Sequence, residues 1–287
     1  MTLKPFALLT LIALPTLIDA HSFDSVPIPG GGHAPIVVDR SLPDGDMLPE
    51  QSAHVPNTNF VMLQSKGGSV LLGPLFGGLN IGATSKKLAQ QTSGQFLSTD
   101  VSGIAIHSLL RLGVGTEPRE GAYVLHPFAF IQQCDDGNFR FALSYHVEGP
   151  EKKSPWVGRY TYHLPTPVPI SGFADASMDQ VAHFVGEMTA GADALTGLME
   201  RDMQGLIPVL GKKVKFSSLS LICSKMGGMG IYNPPEKLFV RGTVVEDANQ
   251  QVIVRFKSNP HITVLFGGEA FGMQLFEQEL IHQMTAY

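Results

Sequence analysis

Charged residues make up only 16% of this chain, and among its 287 residues just two are cysteine and one is tryptophan. Two cysteines, Cys134 and Cys223, are too few and too far apart for a Cys-x-x-Cys redox pair or a cysteine-based zinc site. Basic clusters stop at Lys152-Lys153 and at Lys212-Lys213 with Lys215, and the formal net charge is −5, so nucleic acid is an unsuitable partner. Motifs that announce an activity are missing too. There is no Gly-x-Ser-x-Gly elbow, Ser-x-x-Lys pair, phosphate-cradling glycine loop or His-Glu-x-x-His helix. Asp44-Gly45-Asp46 lacks the further acidic positions of a calcium loop and reads as a turn. No catalytic residue, metal set or cofactor can be assigned from pattern alone.

What is present begins at the amino terminus. Lys4 precedes an almost wholly apolar run from Phe6 to Ile18, interrupted by Pro15, and Asp19-Ala20 follow. The run is short for a membrane span, and a small residue at 20 suits a signal peptidase. The expectation is a signal peptide over 1–20, cleaved after Ala20, and a periplasmic or secreted product. Export would carry Cys134 and Cys223 to a compartment where a disulfide persists. Bridged cysteines and two buried thiols remain equally open on sequence alone. Cleavage would make His21 the first residue, in which it resembles the secreted copper oxygenases that attack polysaccharides. The glycines and prolines that follow cannot hold such a site rigid, so His21 is read as incidental.

Residues 21–59 carry Gly30-Gly31-Gly32 and six prolines, the composition of a flexible arm, and 60–287 reads as one α+β domain with a subdivision point near 170. From Gly67 to Ser85 no side chain is charged, and Gly73/Gly77 and Gly78/Gly82 are four apart. A buried core segment or tight apolar turn is the expectation there, with membrane association the unfavoured alternative. Spacing of Leu88, Phe96, Val101, Ile104 and Leu109 predicts a helix from Thr84 or Ser85 to Leu112. A second helix follows from Ser177, whose hydroxyl and Gln180 form a capping box ahead of an apolar stripe reaching Leu206.

Strands are expected at 61–64, 123–132, 139–148, 156–164, 213–224, 237–246, 251–258 and 261–266, with a final helix over 271–284. The architecture expected is antiparallel β-meanders packed against two long amphipathic helices, arranged as two helix-plus-meander units. Alternation sends Phe139, Phe141, Leu143, Tyr145 and Val147 to one face and Arg140, Ser144, His146 and Glu148 to the other. Pairing then sets His146 opposite Val157 and His163 near Arg140, with Arg159 on the same polar face and His126 on the opposite one beside Tyr145. Trp156, Tyr160 and Tyr162 alternate along one strand. Core packing explains that row, and sugar stacking is its functional alternative. The candidate binding residues are therefore His146, Arg159, His163, Trp156, Tyr160 and Tyr162. The function expected is an exported, non-enzymatic binder of a protein or glycan of the cell envelope, with a hydrolase of cell-wall or extracellular polymers as the competing class.

Overall fold

The two longest strands set the frame. In β4 (Tyr123–Gln133) and β5 (Asn138–Glu148) nearly every residue is buried, because both faces of this ribbon are covered. The computed structural model describes residues 35–64, 74–117, 119–150, 156–208, 210–224, 226–228, 231–257, 261 and 269–287. The apolar leader, the start of the arm including His21, and most of the strand expected at 261–266 lie outside the described residues.

Around β4 and β5 the described strands are β1 (Ile36–Val38), β2 (Ala53–His54), β3 (Phe60–Gln64), β6 (Val157–His163) and β7 (Val168–Pro169). The second half adds β8 (Lys212–Ser218), β9 (Met226–Gly228), β10 (Ile231–Asn233), β11 (Val240–Ala248), β12 (Gln251–Phe256), β13 (Gly272–Glu277) and β14 (Ile281–Ala286). Apart from the β9–β10 ribbon, they make one sheet in the order β14-β8-β11-β12-β13-β6-β5-β4-β3-β2, with β1 beside β4 and β7 beside β5. Most neighbours are antiparallel, while β1 and β3 run parallel to β4, and β13 runs parallel to β6. The β6–β13 join hydrogen-bonds the strands before residue 170 to those after it.

Three helices are described, α1 (Pro74–Gln91), α2 (Val101–Leu109) and α3 (Met178–Met203), instead of two long ones. All pack on the same sheet face, α1 over β2 and β3, α2 over β4 and α3, and α3 over β5 and β6. No helix in the described part is long and apolar enough to cross a membrane. The capping box at Ser177 and Gln180 is present, and Phe184, Met188, Ala192, Leu195 and Met199 form the buried stripe. Beneath lie Phe139, Phe141, Leu143, Tyr145 and Val147 of β5, so this face holds the main core.

Four expectations need correction. The helix predicted from residue 84 or 85 to 112 is two helices, because Ser93-Gly94 ends the first and Asp100 caps the second by accepting from the Gly103 N–H. Between them Phe96 turns inward onto Phe173 and Phe184. The predicted carboxy-terminal helix is β13 and β14. Met273 and Leu275 join the helix-side core while Phe276 joins a second cluster behind the sheet, and a strand buried on both faces loses the alternation that would identify it. Third, the β5–β6 register is offset from the expected one, with His146 opposite Arg159 and Glu148 opposite Val157.

Finally, the described part of the arm is no linker. Ile36, Val37, Val38, Met47, Leu48 and Val55 are all buried, and β1 and β2 are hydrogen-bonded to the sheet. Part of the arm forms a strap that crosses the face opposite the helices. Leu42 and Leu48 meet Val61, Leu63, Phe128, Phe130 and Ala142 there, and Met47 meets Val157 and Phe271.

Candidate functional site

Under the strap, a row of polar side chains runs across four strands. Alternation places His126 and Gln132 of β4, Ser144 and His146 of β5, Arg159, Thr161 and His163 of β6, and Gln274 of β13 on this face, and every one of them is buried. His126 belongs here and not beside Tyr145, since it pairs with His146 across β4 and β5, their rings 6.3 Å apart. Its Nδ1–H donates to the Ser41 carbonyl of the strap at 3.0 Å.

Arg159 is the hub. Its Nη1 donates to Glu269 Oε1 at 2.7 Å, while Nη2 reaches the Met47 carbonyl and, at 3.1 Å, His146 Nδ1. Rings of Phe128, Phe130 and Phe271 surround the guanidinium at 5.5, 5.7 and 5.5 Å. A cation taken wholly out of water is thus balanced by one carboxylate, one carbonyl and three π-faces. The chain of contacts continues from Glu269, which accepts from Gln274 Nε2 at 3.2 Å, to Gln274 Oε1, which accepts from His163 Nε2 at 2.9 Å. His163 also stacks on Phe276, with centroids 4.3 Å apart.

This geometry fixes protonation. His146 Nδ1 faces an Arg159 N–H and must accept, so Nε2 carries the proton and donates to Glu148 Oε1 at 3.2 Å. A second proton would point an N–H at the guanidinium. Burial, reinforced by the Arg159 charge and opposed by Glu148, holds the His146 pKa down at about 4, and burial lowers that of His163 to about 4 despite its bond to Gln274. Burial raises Glu269 to about 7, with Arg159 pulling it back toward the ionised form.

The sign of the acid response follows. Neutral His146 and His163 favour the folded state above their ordinary value of 6.5, and that advantage is lost as pH falls toward 4. Glu269 acts oppositely, since its raised value favours the folded state at low pH and loses that contribution as pH rises through about 7. Asp202, whose carboxyl burial also raises, acts in the same sense as Glu269, so the parent's net response is a small difference between opposed groups. The His146 contribution alone is about 2 kcal/mol between pH 6.5 and 4.5. Urea titrations at the two pH values should show His146→Gln losing about that much less stability on acidification than the parent, and an equal loss in both contradicts the assignment.

The other candidates lie elsewhere. Trp156, Tyr160 and Tyr162 are buried on the helix side and share no surface with His146, Arg159 and His163. Trp156 lies over Gly158, where a Cβ would come within 2.2 Å of the indole, and meets Tyr123 edge-on. Tyr160 donates to Asp202 Oδ2 at 2.7 Å, beside Arg255, which fastens the end of α3 to the sheet. Tyr162 packs against Gly191 and donates to Glu277 at 3.1 Å. These rings are occupied by the core and offer no face to a sugar. The turn carboxylates are similarly engaged, Asp136 with Arg140 at 2.8 Å and Glu246 with Arg201 at 2.9 Å.

Glu269 and Gln274 were not legible as site residues, because the segment around them reads as the start of a helix. Chemically, a carboxyl near neutrality could exchange a proton, but the cavity that reaches it, lined by Gln132, Arg140, Thr161, His163 and Ser220, has room for about one water. Among the described residues no group of three His, Cys, Asp or Glu side chains could hold a metal ion. Cys134 and Cys223 are joined in a disulfide, with Cα atoms 5.1 Å apart. The bridge ties the end of β4 to the loop after β8, where Asp135 N–H also donates to the Cys223 carbonyl. No family model, no curated protein and no solved structure matches this chain.

Proposed function

We propose that the protein is exported, matures by cleavage after Ala20, and works outside the cytoplasm by binding a protein or glycan of the cell envelope without performing catalysis. The single observation that carries the reading is the disulfide between Cys134 and Cys223, which is consistent with an oxidising compartment and persists poorly in a reducing one. The apolar leader supplies the route. The binding aspect draws on how the polar row is used. Arg159, Glu269, His146 and His126 spend their hydrogen bonds on each other, on Glu148 and Gln274 and on the strap, which suits a rigid scaffold that presents its outer surface. Fractionation of cells making the native chain tests the proposal. The protein should appear outside the cytoplasm, with its thiols resistant to alkylation until reductant is added. Retention in the cytosol with reactive thiols contradicts export, and turnover on a panel of cell-wall polysaccharides contradicts the non-catalytic part.

A further inference from the structure

The helix layer covers only part of its sheet face. Beyond the end of α3, the same face continues over β11, β8 and β14, and what it carries there can be read from register. Arg255 of β12 turns toward Asp202 of α3, so its neighbour Thr243 and, two residues away, Arg241 share the helix side. Arg241 pairs with Lys215, Thr243 with Lys213, and Thr285 with Lys215, which brings the exposed Lys213 and Arg241 and the half-buried Lys215 onto one patch. The opposite side of these strands is closed by Val214, Phe216, Val252 and Val254.

Three cations thus stand together on a chain whose net charge is −5. Lys213 and Lys215 are two residues apart on one strand, roughly 6.7 Å, and Arg241 is directly across from Lys215. No carboxylate within 4 Å pairs with any of them among the described residues. Two are laid over aromatic rings instead. Lys215 Nζ lies 4.8 Å from the Phe239 centroid and Arg241 Cζ lies 5.4 Å from that of Tyr287. Phe239 and Tyr287 are 38% and 57% exposed as residues, so aromatic surface borders the charges. Like charges held close repel one another, and an anionic partner relieves that repulsion.

We infer that this patch, Lys213, Lys215 and Arg241 with Phe239 and Tyr287, binds an acidic polysaccharide through its carboxylates. Cations recognise the carboxylates, and exposed rings stack on sugar faces, a contact that the headgroups of a lipid surface do not offer. The inference rests on the binding reading above and names its partner class. It is independent of export, because it is read from purified protein.

The test is calorimetric titration of the disulfide-bonded protein with polygalacturonate fragments at low ionic strength, with neutral dextran and phosphatidylglycerol vesicles as parallel probes. Polygalacturonate should bind, and added salt should weaken it. The triple variant K213Q/K215Q/R241Q should lose roughly tenfold or more in affinity while keeping its melting temperature, since none of the three side chains is buried or ion-paired among the described residues. K86Q/K87Q, which removes two exposed cations from α1, should bind as the parent does. Equal affinity in the triple variant, equal binding of dextran, or binding to vesicles without polygalacturonate overturns the inference. None of these results bears on where the protein is found in the cell, so the two readings fail separately.

Discussion

Replacing Arg159 by alanine is expected to lower folding stability by about 3–5 kcal/mol, the usual consequence of stranding one member of a buried ion pair. Glu269 would be left buried under the strap without its cation. Three phenyl rings would border a void, and the Met47 carbonyl would lose its donor. Loss of the ion pair and loss of strap anchoring can be separated. In the double variant R159M/E269L neither charge of this pair remains, and apolar groups of comparable bulk fill the space, so most of the stability should return. Recovery should be incomplete, since nothing replaces the donor to Met47. Urea denaturation of the three proteins measures the energies, and amide exchange over residues 36–50 reports the strap. Faster exchange there in both variants, with large destabilisation only in R159A, is the expected pattern. Equal stability of R159A and the parent would mean that the ion pair contributes nothing net.

The second large effect concerns the disulfide. Cys134 and Cys223 are 89 residues apart in sequence, so their bridge closes a long loop. By the chain-entropy estimate, opening it destabilises the fold by about 4–5 kcal/mol, acting mainly through the unfolded chain. The local contacts should survive reduction, because the Gln132 amide also donates to the Leu221 carbonyl and the Asp135 N–H to the Cys223 carbonyl. C134S/C223S should therefore unfold at much lower urea with a nearly native spectrum before the transition. An unchanged midpoint after reduction would indicate that the reduced chain retains the same constraint by other means.

How far the sequence discloses this molecule depends on how many faces of each element are buried. The α3 helix has one buried stripe and one wet face, and its cap and periodicity stand out directly from Ser177 onward. β13 lies mid-sheet between β12 and β6, with both faces covered, so Phe271 to Glu277 presents apolar residues without a period and imitates a helix. The break between α1 and α2 was written in Ser93-Gly94 and Asp100, yet the spacing of Leu88, Phe96 and Val101 continues across it, because Phe96 is buried from a short 3-10 turn.

For the candidate site the limit is different. Local pattern puts Arg159, His146 and His163 on one polar face, which the structure shows. That this face is dry depends on Met47 and Leu48, more than a hundred residues before Arg159, and on Glu269, 110 residues after it. Nothing in a proline-rich arm signals that it folds back over a sheet. A polar face that looks solvated in sequence becomes an interior network through contacts of long range, and those have no local signature.

The reading of the protein as an exported, oxidised binder meets its most direct test in the intact mass of the natural protein, isolated with no reductant present. A single species that begins at His21 and is lighter by two hydrogens than the reduced form is the predicted result. A species that retains Met1 and carries both Cys134 and Cys223 as thiols would contradict it.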